Sequence, residues 1–147
     1  MTIPPPSAPP TSSFVRPTIA LLAGLGVTVL IVATGTLIAT LAMLRGVDPR
    51  HFQPGMGYLM TTLTVSTMGA FAGGFTTSRI TAGRSFYTVF LLALLLLVSG
   101  AIPAFKNGPA PGQPSWYPLT LALLAPAGVL IGGVIERRRE SAAGRSR

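Results

Sequence analysis

Four apolar runs govern what this chain can fold into, each free of charged residues between its ends and each long enough to cross about 30 Å of hydrocarbon as a helix. They span about residues 18–44, 58–77, 86–105 and 117–135. Lipid offers no water to pair with exposed amides, so such runs must be helical, and their number predicts an all-α, polytopic transmembrane bundle of four helices. Composition points the same way. Of the 147 residues 49% are hydrophobic and 10% charged, a balance outside the usual range of water-soluble domains.

What lies between the runs is punctuation. Residues 1–17 are rich in Pro, Ser and Thr and hold one charge, which predicts a disordered leader. The first run is longer than the roughly 20 residues a perpendicular span needs, so it must tilt or protrude. A cleaved signal peptide is the rival reading, but its apolar part is usually about 7–15 residues. Pro49, Pro54 and Gly55 mark a loop before the second run, and the segment KNGPAPGQPS marks another after the third. The link at 78–85 is short, which predicts that spans two and three are antiparallel neighbours. Residues 136–147 form a basic tail, and the transmembrane domain occupies 18–135. The chain has no cysteine, which excludes disulfides, thiol redox chemistry and thiolate metal sites.

The net charge of +8 is distributed as topology requires. With four spans, the termini and the short link share one side. That side holds Arg16, Arg79, Arg84, Arg137, Arg138, Arg139, Arg145 and Arg147, against Arg45, Arg50 and Lys106 on the other. Basic loops stay in the cytoplasm, so both termini are expected inside, and Arg79, Arg84, Arg137, Arg138 and Arg139 are the expected orientation determinants. Tyr58, Trp116 and Tyr117 fall at the outer boundary and Phe86 and Tyr87 at the inner one, where interfacial aromatics belong. This placement of the basic residues argues against nucleic acid as a partner.

The four helices differ in what they can face. Span three is Leu-rich and should insert alone, whereas span two is full of Thr, Ser and Gly and should depend on its neighbours. At 100° per residue Thr62, Ser66, Gly69, Gly73 and Thr77 fall within an arc of about 80°, with Met60, Met68, Phe71 and Phe75 opposite. A groove of small residues is what close helix approach in lipid requires. Span four offers Ala125, Gly128, Gly132 and Gly133, and span one Ala20, Gly24, Thr28, Gly35, Ala39 and Ala42. These small-residue faces are the expected helix-packing interfaces.

The stretch GAFAGGFTTSRITAGRSFYTVFLLALLLL, residues 69–97, resembles a hairpin of uncharacterised small bacterial membrane proteins with four helices. There a small-residue span ends in a Gly-Gly-aromatic step and a basic link leads to a Leu-rich span. The resemblance implies a bacterial inner-membrane location and no activity.

Chemistry is marked mostly by absences. Ionisable groups within spans are expensive and usually functional, and these spans hold none between their ends. Small multidrug exporters, which the chain resembles in size, need a glutamate in the first helix, where this sequence offers only threonines. A haem or pigment would want an imidazole inside a span, and the one histidine, His51, lies in a loop beside Asp48 and Arg50. A single His and a single Asp are too few for zinc. Pro126 would free a carbonyl and kink span four. The run Arg137 to Arg139 could meet anionic headgroups, though orientation alone accounts for it and Glu136 and Glu140 dilute the patch. The expected function is therefore non-catalytic, with no cofactor: an accessory or stabilising subunit acting through helix contacts with a membrane partner or a second copy. The alternative is a small oligomeric transporter or channel lined by Thr and Ser hydroxyls and backbone carbonyls. An enzyme would need acid–base or nucleophilic groups that the spans lack.

Overall fold

The computed structural model describes residues 15–43, 55–81, 86–109 and 113–145. Those residues form four helices and no strand: α1 (Val15–Met43), α2 (Met56–Ile80), α3 (Phe86–Asn107) and α4 (Tyr117–Arg145). Residues 1–14, His51 with Asp48 and Arg50, Arg84 and Arg147 lie outside the described residues.

Local chemistry sets the helix ends. Pro17 sits in the first turn of α1 and Pro118 in that of α4, where a missing amide hydrogen costs nothing. Gly55 is the extended residue before α2, and the Leu59 amide donates to its carbonyl at 3.2 Å. At the end of α3, Gly108 takes φ of 63°, the left-handed stop that favours glycine. α4 runs to Arg145, about ten residues beyond the expected span, because Glu136 to Ala143 are largely good helix formers. The expected tail is thus mostly a continuation of the fourth helix. At 29 residues α4 is about 43 Å long.

Packing follows side-chain size more than chain order. α2 lies between α1 and α4 and touches α3 only lightly, while α3 packs on α4. The expectation that the short link would make spans two and three close neighbours is corrected by this arrangement. Bulky α3 cannot approach as α1 and α4 can, since both of those bring glycine to the contact. α1 is antiparallel to α2, with Ala20 beside Thr77 and Thr40 beside Tyr58. α4 is parallel to α2, with Thr67 beside Gly128 and Ser78 beside Gly133. Successive helices therefore reverse direction, and Arg16, Arg79, Arg137, Arg138 and Arg139 gather at one end. The opposite end has Lys106 as its only cation among the described residues.

One core cluster joins Ala70, Val89, Leu92, Ala93 and Val129 from α2, α3 and α4, and another joins Leu59, Leu63 and Tyr117 near the far end. Large apolar side chains cover the outside as well, among them Leu30, Leu37, Ile38, Leu41, Phe90 and Ile131. A water-soluble monomer does not carry so wide an exposed apolar surface. α1, α3 and α4 are long and apolar enough to cross a membrane. α2 is not among them, although it has the length, because Thr, Ser and Gly replace its leucines.

Candidate functional site: the seams of α2 and the cavities beside it

The wheel of α2 carries two close seams, one toward α1 and one toward α4, where the sequence predicts a single groove. Toward α1, Gly73 stands so near Gly24 that an added Cβ would lie 2.6 Å from the Gly24 carbonyl oxygen and press on the Thr28 hydroxyl. A Cβ on Gly69 would meet Val32 at 2.9 Å, and one on Gly35 would strike Val65. Toward α4, a Cβ on Gly74 would fall on the backbone of Val129, and one on Gly128 would sit 3.0 Å from the Thr67 carbonyl. A Cβ on Gly132 would press on the carbonyl of Phe71 and lie 3.0 Å from the Phe75 amide. Phe71 and Phe75 thus bring their backbones to α4. Met60, Met68 and Phe71 are exposed, and a second contact face, toward α4, lies beside them. Gly74, which the wheel had left out, completes it.

The hydroxyls of α2 serve the same packing. Thr77 Oγ donates to Gly73 O at 2.9 Å and to Ala20 O of α1 at 3.2 Å. Ser78 Oγ reaches Gly133 O of α4 at 3.1 Å. Thr61, Thr62, Thr64, Thr67 and Thr76 each donate to the carbonyl one turn back. Thr40 of α1 and Tyr58 of α2 share a hydrogen bond of 3.2 Å near the far end. Of the sequence-derived packing residues, Gly69, Gly73 and Thr77 lie on the α1 seam and Gly128 and Gly132 on the α4 seam. Ala125 packs against the main core cluster, and Thr62 is half-buried. Ser66 is buried and borders a mostly apolar cavity of about 360 Å³, which Thr28, Leu96 and Ala125 also line.

A larger cavity, about 750 Å³, opens where α2 begins, α3 ends and α4 begins. Tyr58, Thr62, Tyr117 and Gln113 give it a polar lining without a formal charge. Two prolines act on it. Pro103 in α3 cannot donate to the Ser99 carbonyl, and Pro126 in α4 cannot donate to that of Ala122. Both Ser99 and Ala122 line this cavity, and α3 and α4 close up at the same level, with Gly100 set against Ala122. Pro126 was legible as a helix breaker in the sequence. That a second proline frees a carbonyl beside the same space is visible only once α3 and α4 are paired.

At the arginine-rich end, the expectation that Glu136 dilutes the arginine patch is corrected, because its side chain is buried in the bundle. It is 7% exposed, and its Oε2 has no hydrogen-bond donor, with the Arg139 guanidinium 3.9 Å away. The signal was its spacing of four from Gly132 and seven from Val129, which puts it on the α2-facing side of α4. Arg137 turns the other way and holds its guanidinium 5.9 Å over the Phe86 ring. No group of three or more His, Cys, Asp or Glu side chains comes together among the described residues.

No protein-family model, curated protein or solved structure matches this chain.

Proposed function

We propose that this chain is an integral protein of a bacterial inner membrane that crosses the bilayer four times with both termini in the cytoplasm. It acts without catalysis, through helix contacts, as an accessory or stabilising subunit of a membrane complex. The observation that carries this reading is the use of the bundle's polar groups. The α2 hydroxyls with defined partners bond carbonyls of their own or a neighbouring helix, and the glycines bring backbones together. Such an interior supports a packed body more than a reaction centre. The exposed apolar belt supports burial in lipid, and the arginines gathered at one end support the orientation. α2 crosses as the inner helix, covered by α1 and α4, so it needs little lipid-facing surface of its own.

The groove of Gly69, Gly73 and Thr77 is already filled by α1, so a partner must meet the outer surface. α1 offers the most, with Val29, Leu30, Leu37, Ile38 and Leu41 uncovered. Partners on this reading are the bilayer and another membrane protein, with no nucleic acid, whereas a homo-oligomer belongs to the transporter reading. The 750 Å³ cavity favours the second reading, a small oligomeric transporter or channel, because it combines hydroxyls with two carbonyls released by proline. Reporter fusions after Ser78 and Arg147 should read cytoplasmic, and fusions after Arg50 and Gly112 external. Purification from native membrane in mild detergent then separates the readings. A stoichiometric foreign partner supports the accessory subunit, and a lone homo-oligomer overturns it in favour of the transporter.

A further inference from the structure

At the arginine-rich end a cavity of about 470 Å³ lies between the start of α3 and the last turns of α4, lined by Phe86, Val134, Arg137, Arg138, Ser141 and Ala142. We propose that this groove holds the phosphate of an anionic phospholipid, with its acyl chains lying along α3 and α4. The proposal rests on the membrane reading above.

Three observations carry it. First, the charged side chains that line the groove, Arg137 and Arg138, are both basic. Of the two carboxylates on α4, Glu136 turns into the bundle and has Arg139 beside it, and Glu140, half-buried three residues from Arg137, is not among the residues that line the groove. Second, the groove is shaped for an amphiphile. Its wall of Phe86, Val134 and Ala142 is apolar, and the Phe86 ring supports the Arg137 guanidinium from below, which limits how far that side chain can swing. Third, the groove runs into the apolar belt without a break. Ile131, Val134, Ile135, Arg138, Ser141 and Ala142 recur at helical spacing on one face of α4, and Phe86 and Phe90 stand one turn apart on α3. Ile131, Ile135 and Phe90 are exposed, so acyl chains below the phosphate have a surface to lie on. A free phosphate would use the arginines and leave that strip unused.

A scatter of basic charge attracts anionic lipid without any groove, so the test must separate the two. The full chain is reconstituted in phosphatidylcholine vesicles containing a minority of phosphatidylglycerol. Retained lipid is then counted by mass spectrometry after mild extraction. Arg137→Gln with Arg138→Gln should lower phosphatidylglycerol retention about tenfold, the equivalent of about 1.4 kcal/mol. Arg139→Gln with Arg145→Gln removes the same charge from the same helix and should leave retention nearly intact. Ala142→Phe, which fills the groove and changes no charge, should lower it like the first pair. Equal loss from both arginine pairs, or full retention in Ala142→Phe, overturns the proposal. So does displacement of the lipid by soluble glycerol phosphate at comparable concentration, because the acyl strip would then contribute nothing. Correct insertion is measured in the same vesicles by carbonate extraction. A chain that fails to insert refutes the membrane reading, whereas a chain that inserts and retains no phosphatidylglycerol refutes only the groove.

Discussion

Adding one methyl group at two glycines should move stability in opposite directions. Gly26 of α1 has nothing within 4 Å of an added Cβ. Gly73 of α2 would put that atom 2.6 Å from the Gly24 carbonyl oxygen, where ordinary contact begins at 3.4 Å. Alanine is favoured over glycine inside a helix by about 1 kcal/mol, and at Gly26 that gain is unopposed. At Gly73 the helices must part by roughly 0.8 Å, and a gap of that order forfeits between a quarter and a half of each contact across the seam. Overpacking of this kind costs about 1–3 kcal/mol, so the helical gain is exceeded. Gly26→Ala should then stabilise by about 0.5–1 kcal/mol and Gly73→Ala destabilise by about 1–2 kcal/mol. Gly73→Leu should break the bundle, whereas Phe71→Leu, at a side chain 36% exposed, should cost less than about 1.5 kcal/mol. Thermal unfolding in mild detergent, followed by circular dichroism, gives the comparison, with membrane yield as a control for insertion. The two alanines add the same atoms to helix interiors, so hydrophobicity cannot separate them. If Gly73→Ala is as stable as the parent, or if both alanines shift the midpoint alike, the α1–α2 seam is not packed at backbone distance.

Two further outcomes test single groups. Thr77→Val keeps the shape and removes the hydroxyl that reaches Ala20 O, and should cost about 0.6–1.7 kcal/mol by the same unfolding assay; no loss would mean that this interhelical bond contributes nothing. Glu136→Gln keeps the volume and removes a buried carboxylate whose Oε2 lacks a donor, so it should leave stability unchanged or raise it by up to about 1 kcal/mol. A clear fall in midpoint would show that the charge itself is needed where it lies.

The helices were legible because each uncharged apolar run is of a length that reads as one helix, and the starts at Phe86 and Tyr117 coincide with the aromatic residues that open those runs. The end of α4 was not, since the change from apolar to basic residues at Glu136 marks where the apolar run stops and not where the helix does. The small residues of α2 were legible as a face, because a wheel needs only spacing. Which helix would cover that face was not. A wheel drawn on one helix treats Phe71 as a bulky residue and cannot see that its carbonyl will lie against Gly132. The inward turn of Glu136 was missed for a related reason. A carboxylate at the end of an apolar run looks solvated until the helix is seen to continue and turn it inward.

The helix least suited to lipid is also the one most covered by protein, and the two facts have one cause. A helix packed on two sides at glycine distance must give up large side chains on both, and with them the hydropathy by which a span is recognised. Replacing those glycines with leucines would make α2 a better span and a worse partner. Its hydroxyls carry the same logic. In hydrocarbon a threonine is tolerable when its hydroxyl bonds a carbonyl one turn back, and useful when, as at Thr77, it also reaches the next helix. The α1–α2 and α3–α4 pairs join helices adjacent in sequence and can form as hairpins, whereas the parallel α2–α4 seam joins helices separated by a whole span. That seam covers Gly74, Gly128 and Gly132, so the second face of α2 ties the two hairpins into one bundle.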